Sequence, residues 1–99
     1  MDVVMEKLYE IKREPIIHIG RKSVILLRAY IDGYIDRVME MNSKFHSAYF
    51  GFFGFVNKTY HMAPNFSWDR ILNAYSSTDE AAFDMFFQLL DEYQESLKE

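Results

Sequence analysis

Cysteine is absent from this sequence, and no long apolar run occurs in it. Without cysteine the chain has no disulfide, no thiol nucleophile and no cysteine-ligated metal site. The longest uninterrupted apolar run, Val24 to Leu27, is far shorter than the roughly 20 residues that span a bilayer. The first residues also lack the basic and then apolar regions of a signal peptide. We therefore expect a cytoplasmic protein with no membrane partner.

Proline and glycine are scarce as well, with two prolines and four glycines among the 99 residues. This scarcity excludes collagen-like and linker-rich chains. Charged residues make up 26% and hydrophobic residues 49% of the sequence, which is the balance of a folded protein rather than a disordered one. Because no repeat or linker divides the chain, we expect a single domain over residues 1–99.

Basic residues are outnumbered, and the net charge is −4. Residues 79–99 hold seven acidic residues and one base, a net charge of −6, so the other residues together carry +2. A nucleic-acid-binding protein needs a basic surface to neutralise phosphates, and nucleic acid is therefore not an expected partner. An acidic helix surface attracts basic proteins, although an ordinary solvated surface has the same composition.

Apolar residues recur at helical spacing along most of the chain, which predicts a compact all-α bundle of four to five helices. The predicted helices cover residues 2–12, 23–41, 43–60, 67–75 and 77–97. Ser23 and Ser67 are expected N-caps, and Ser77 with Glu80 matches a capping box. Between the first two helices, Ile16 to Ile19 are predicted to form an extended connector that buries two isoleucines.

The same spacing predicts how several single residues pack. Gly33 lies inside the second helix, where a neighbouring ring is expected to pack against its bare backbone. Tyr75 and Leu97 are expected to face the core from the last two helices, because each continues an apolar stripe.

Aromatic residues are abundant and make up 17% of the sequence. Most fall on single helix faces, but residues 45–60 carry rings in nearly every direction. Such a helix is either central to the core or partly covered by another chain. Because aromatic residues are enriched at protein interfaces, Phe50 and Phe53 are candidate partner-binding residues, with core packing as the alternative. A strand over this segment is less favoured, since alternation is absent.

The sequence contains no recognisable catalytic or metal-binding pattern. Its three histidines are scattered, no serine lies in a nucleophile motif, and the paired carboxylates lie opposite the apolar stripes. We therefore expect no enzyme activity, no metal and no cofactor. Arg21, Lys22 and Arg28 flank a helix start and form a candidate anion-binding group, with a solvated helix entry as the alternative.

A more specific pattern covers residues 12–34. The segments KREPIIHIGRKS and LRAYIDGY resemble a group of small bacterial proteins with the patterns R-P-x-x-Y-I-G-x-[KR]-S and L-R-A-[FY]-[IL]-D-G-Y. The helix start at Ser67 and Trp68 and the helix from Asp79 to Tyr93 are similar to the later parts of those proteins, so the resemblance covers most of residues 12–93. The chain departs from the pattern at Glu14, an extra residue, and at His18, where an aromatic residue is expected. The resemblance implies a shared fold and an immunity-type protein of a toxin system, and it supplies no catalytic residues.

Together these features predict a non-enzymatic protein that binds another protein, with a basic bacterial toxin as the expected partner. The residues expected to meet that partner are acidic and lie late in the chain: Asp84, Asp91, Glu92 and Glu95. Nearby exposed rings are expected to add affinity. Two alternatives stay open, a homo-oligomer joined through residues 45–60 and a binder of small anions at the candidate anion-binding group.

Overall fold

Six α-helices and one short 3₁₀ helix form the part of the chain that the computed structural model describes, residues 1–63 and 65–98. The helices are α1 (Val3–Arg13), α2 (Pro15–Ile19), α3 (Val24–Met41), α4 (Phe52–Thr59), α5 (Trp68–Ala74) and α6 (Asp79–Ser96), and the 3₁₀ helix Ala48–Gly51 precedes α4. These residues contain no strand. The prediction of an all-α bundle is confirmed.

Helix α6 connects most of the bundle, because it packs against α3, α4 and α5. Helix α1 packs against α3 and against the 3₁₀ helix. The apolar stripe of α6 is buried along its length, and its largest members are Phe83, Phe86, Phe87, Leu90 and Tyr93. Since this stripe covers one side of an 18-residue helix, the opposite side is left to the solvent.

The centre of the core consists of rings from four different elements. Between ring centroids, Trp68 of α5 lies 4.6 Å from Phe86 of α6 and 6.2 Å from Phe52 of α4. The indole nitrogen of Trp68 donates a 2.9 Å hydrogen bond to the hydroxyl of Tyr49. All four side chains are fully buried, and each contributes about 1.5–3 kcal/mol through burial of apolar surface. Much of the aromatic content therefore stabilises the fold itself.

The observed N-cap residue is the predicted one at α3, and it differs from the predicted one by one position at α6. The hydroxyl of Ser23 accepts a hydrogen bond from the backbone N–H three residues later, at 3.2 Å. Ser67 precedes α5 but makes no side-chain capping bond. At α6 the N-cap is Thr78, which accepts from the backbone N–H three residues later at 3.0 Å. The capping box predicted at Ser77 is therefore wrong, since Thr78 offers an equivalent hydroxyl directly before the helix.

The predicted extended connector between the first two long helices is also wrong, because its residues form α2. Pro15 occupies the first helical position, which suits its fixed φ, and Gly20 ends the helix with a φ of 86°. The expected burial of two isoleucines does not occur. Ile16 and Ile17 are 65% and 75% exposed, and Ile19 packs against the core. A helix of little more than one turn directs only one narrow side inward.

The helix predicted over residues 43–60 is interrupted. Residues 42–47 are not helical, and the 3₁₀ helix separates them from α4. The carboxylate of Asp2 fixes this segment by accepting hydrogen bonds from the Ser47 hydroxyl at 2.9 Å and the Ala48 backbone N–H at 3.0 Å. Asp2 lies 45 residues before Ser47 in the sequence, so the local spacing of apolar residues does not predict these hydrogen bonds.

The glycine that a ring approaches is Gly51 rather than Gly33. A Cβ added at Gly51 would lie 2.5 Å from the hydroxyl oxygen of Tyr93, whereas nothing lies within 4 Å of one added at Gly33. The prediction for Gly33 is wrong. Close packing instead occurs where the 3₁₀ helix meets α6, and the Tyr93 hydroxyl donates a hydrogen bond to the Ala48 carbonyl there.

Two residues predicted to face the core are exposed. Tyr75 is 62% exposed and Leu97 is 54% exposed. Both lie at the C-terminal boundary of a helix, Tyr75 after α5 and Leu97 after α6. Helical spacing places a residue only while the helix continues, so these two predictions are wrong for the same reason.

Candidate protein-binding surface

The exposed side of α6 carries the predicted acidic residues, and we name them the α6 acidic face: Asp84, Asp91, Glu92 and Glu95. All four are exposed. Asp84, Asp91 and Glu95 are separated by seven and four residues, close to whole helical turns, and Glu92 is next to Asp91, so the four acids lie opposite the buried stripe of the same helix. Much of the negative charge of residues 79–99 therefore lies on the exposed side of α6.

An open groove of about 370 Å³ runs along one edge of this face. Its lining residues come from α1, from the turn before α3 and from α6: Lys12, Lys22, Phe83, Asp84, Phe87, Gln88 and Asp91. The ammonium group of Lys22 lies 2.8 Å from the carboxylate of Asp84, and that of Lys12 lies 3.8 Å from Asp91. Each lysine also lies over a phenylalanine ring of α6, at 5.8–5.9 Å from its centroid.

Asp91 has a second partner in α1. The hydroxyl of Tyr9 donates a 2.6 Å hydrogen bond to the Asp91 carboxylate. Burial raises the pKa of Tyr9, and the hydrogen bond to Asp91 raises it further. Asp84 and Asp91 are therefore held in place by side chains of this chain, and part of their negative charge is balanced by Lys22 and Lys12.

The other two acids of the face differ in their surroundings. Glu95 accepts a 3.0 Å hydrogen bond from Lys98, one turn further along the chain. Within residues 1–63 and 65–98, no cationic nitrogen lies within 4 Å of the Glu92 carboxylate. Glu92 is thus the member of the face whose charge the described residues leave unpaired.

A pair of tyrosines lies where α4 and α5 end, and both of these helices pack against α6. Tyr60 and Tyr75 have ring centroids 4.9 Å apart and planes inclined by 37°. Burial raises the pKa of Tyr60, and the negative charge of Glu92 raises it further. Nothing in the helical spacing groups Tyr60, Tyr75 and Glu92, because that spacing predicts a buried Tyr75. Their grouping depends on α4 and α5 ending at the same place.

Two of the three candidate anion-binding residues, Lys22 and Arg28, contact carboxylates, and these carboxylates belong to three different helices. Lys22 pairs with Asp84 of α6, as described above, and Arg28 lies 2.8 Å from Asp69 of α5 and 3.1 Å from Asp32 of α3. Arg21 is exposed. The charges of Lys22 and Arg28 are therefore balanced by carboxylates of the chain, which weakens their attraction for an added anion.

The two candidate rings of the aromatic segment are half-buried and pack beside other elements. Phe53 lies under the guanidinium of Arg28, 5.1 Å from the ring centroid, and 5.6 Å from the ring of Tyr49. Phe50 meets His46 edge-on at 5.4 Å. Neither ring forms an aromatic pair with α6 in the described part of the chain.

Metal ligands do not cluster in the described residues, which contain no group of three or more histidine, aspartate or glutamate side chains able to hold a metal ion. In the same residues, no helix has the length and apolar character needed to cross a membrane. Comparison of the chain with protein families, with curated proteins and with solved structures gives no match. Function is therefore inferred from the surface of α6 and its two edges.

Proposed function

We propose that this chain is a protein-binding module that receives a basic protein on the α6 acidic face. The observation that carries the proposal is the placement of the four acids together on the exposed side of α6. Their negative potential attracts a basic surface and increases the rate of encounter. The exposed ring of Tyr75 at the edge of the face supplies contact area, and contact area contributes more to affinity than exposed charges do.

The groove makes this face more rigid than a row of flexible carboxylates. Lys22 holds Asp84, and Tyr9 and Lys12 hold Asp91, so neither acid has to be ordered when a partner binds. Ordering a side chain on association costs about 0.5–1.5 kcal/mol. Lys12 and Lys22 reduce the net charge of the face, but they also hold the carboxylates of Asp91 and Asp84 in position.

A toxin is the partner that we propose for this face, and its neutralisation would follow from occlusion of its basic surface. The resemblance of residues 12–34 to small bacterial immunity-type proteins supports this choice. A toxin that acts on nucleic acid or on another anionic substrate needs a basic surface, and such a surface complements the α6 acidic face.

The test is co-expression with the product of the adjacent gene, followed by size-exclusion chromatography at micromolar concentration. We expect a complex with the wild-type chain. The double variant Glu92→Gln/Glu95→Gln is expected to weaken the complex about three- to tenfold, because it removes two charges from the face.

The matched control is Asp36→Asn/Glu40→Gln on α3. This control removes the same number of negative charges. It also resembles the test variant in its surroundings, because Asp36 is exposed and Glu40 forms an ion pair with Arg37, one helical turn away. We expect this control to bind like the wild type. Failure to form any complex, or an equal loss in both double variants, would contradict the proposal.

A further inference from the structure

Cations in this protein repeatedly lie between a ring and a carboxylate. Within residues 1–63 and 65–98, four cationic side chains lie over aromatic faces: Lys7, Lys12, Lys22 and Arg28. Each of the four also pairs with at least one carboxylate. An aromatic face and a carboxylate attract the same cation, because the ring quadrupole and the negative charge add.

Lys7 and Arg28 show the arrangement most clearly. Lys7 lies 5.4 Å from the centroid of Tyr34 and 2.8 Å from the carboxylate of Glu10. Arg28 lies 5.1 Å from the centroid of Phe53 and 2.8 Å from Asp69. In each case the ring and the carboxylate belong to different helices, and the cation joins them.

Tyr60, Tyr75 and Glu92 provide the same two components without a cation from the described residues. The rings are a pair, 4.9 Å apart, and Tyr75 is 62% exposed. No described cation lies over either ring or within 4 Å of Glu92. Tyr60 and Tyr75 lie at the ends of α4 and α5, Glu92 belongs to α6, and each of these three helices packs against the other two.

The backbone adds to the negative potential at this place. Tyr60 is the C-cap residue of α4, and Tyr75 is the C-cap residue of α5. The last carbonyl groups of a helix carry a partial negative charge, which favours a cation within the final turn. Two helix ends, two ring faces and one carboxylate therefore favour the same sign of charge.

We infer that Tyr60, Tyr75 and Glu92 form a binding site for an arginine or lysine side chain of the basic partner, and this inference rests on the proposed function. We name these three residues the tyrosine-pair site. The site adjoins the α6 acidic face, since Glu92 belongs to both. A cation placed here completes the same unit of ring, cation and carboxylate that Lys7, Lys12, Lys22 and Arg28 form among the described residues.

The test is a two-dimensional NMR titration of the ¹⁵N-labelled full chain with acetyl-arginine amide. Acetyl-citrulline amide is the matched probe, because it has nearly the same shape without the charge. We expect the cationic probe to shift the amide signals of Tyr60, Tyr75 and Glu92 most strongly, with a dissociation constant on the order of tens of millimolar. The neutral probe is expected to leave these signals nearly unchanged.

Two pairs of variants separate the site from general charge attraction. Tyr75→Leu and Glu92→Gln are each expected to weaken binding of the cationic probe about two- to fivefold. Tyr34→Leu and Glu40→Gln are the controls, since Lys7 already covers Tyr34 and Arg37 already pairs with Glu40, which lies outside the α6 acidic face. We expect both controls to bind the probe like the wild type. The amide spectrum of each variant shows directly that it is folded.

Three results would overturn the inference: equal shifts with both probes, shifts spread evenly over the α6 acidic face, or equal binding by Tyr75→Leu and the wild type. These results do not depend on the partner protein. If the adjacent gene product binds but the cationic probe does not, the tyrosine-pair site is rejected and the proposed function stands. If the probe binds and no complex forms, the proposed function is rejected while the cation site itself stands.

Discussion

Asp2 connects two parts of the chain that are distant in sequence. One of its carboxylate oxygens accepts hydrogen bonds from the backbone N–H groups of Val4 and Met5 and so caps α1, and the same oxygen accepts from the Ser47 hydroxyl. The other oxygen accepts from the backbone N–H of Ala48. A single side chain thus starts one helix and positions the segment that leads into the 3₁₀ helix.

These bonds also determine the charge state of Asp2. Burial by itself would raise its pKa, but the hydrogen bonds from backbone N–H groups and from the Ser47 hydroxyl outweigh burial and lower the pKa. In the unfolded chain the pKa is about 3.9. The ionised group therefore stabilises the fold above that pH, and this stabilisation is lost as the pH falls through the lower folded-state pKa.

Asp2→Asn is expected to reduce the free energy of unfolding by about 2 kcal/mol at pH 7, because a charged acceptor is lost and the Ala48 N–H faces an amide. Urea denaturation at pH 7 and near pH 3 measures the effect. The difference from the wild type is expected to shrink at the lower pH. An equal difference at both values would show that the charge of Asp2 does not stabilise the fold.

At the scale of the elements, the sequence predicts a helix correctly where its apolar stripe is long. The prediction is wrong where contacts with residues distant in sequence determine the local structure. The extents of α3 and α6 follow from periodicity, and Ser23 follows from its place before the stripe. The break before α4 depends on Asp2, which lies more than 40 residues away, as the separations of 45 and 46 residues to its partners show. Helix α2 has only five residues, which is too short for the spacing of apolar residues to distinguish a helix from an extended segment.

The candidate surface was predictable to a similar degree. The α6 acidic face follows from the charge of residues 79–99, since a helix presents its polar side to solvent. The lysines that balance two of its acids come from elsewhere in the chain, and spacing does not reveal them. The tyrosine-pair site depends on where α4 and α5 end, and helix ends are the least predictable part of a helix.

The two glycines near the start of α4 provide a test of the packing at this junction. Gly51→Ala is expected to destabilise the protein by about 1–3 kcal/mol, because the added Cβ lies 2.5 Å from the Tyr93 hydroxyl oxygen. Gly54→Ala is the control, since nothing lies within 4 Å of its added Cβ. We expect that change to stabilise α4 by up to about 1 kcal/mol.

Thermal unfolding of both glycine variants measures the two effects. They should differ in sign, because backbone propensity favours alanine at either position and only Gly51 faces a packed ring. Equal stabilisation by both substitutions would mean that Tyr93 moves without cost, and the close contact between the 3₁₀ helix and α6 would not be a constraint.

At the scale of the whole molecule, the exposed surface has the size expected for a compact chain of this mass. The accessible area is 6138 Å², and a compact monomer of 11.8 kDa is expected to expose about 5,900 Å². The large aromatic side chains of the core are covered by the chain's own helices. The surface that we propose for a basic partner is therefore the charged one, the α6 acidic face with its adjoining tyrosines.

Charge is the property of the whole molecule that distinguishes binding through the α6 acidic face from binding through apolar contact. The net charge is −4, and residues 79–99 alone carry −6. Long-range attraction acts on the association rate and is screened by salt, with a Debye length of about 10 Å at 0.1 M. Contact between apolar surfaces is not screened in this way.

The most direct test is the association rate constant of the complex with the adjacent gene product, measured by stopped flow between 0.05 and 0.5 M NaCl, roughly the range over which screening becomes strong. We predict that the rate constant falls by about tenfold or more across this range. The fall should be smaller for Glu92→Gln/Glu95→Gln than for Asp36→Asn/Glu40→Gln. A rate constant that does not change with salt, or one that changes equally in both variants, would contradict the proposal that the α6 acidic face receives a basic partner.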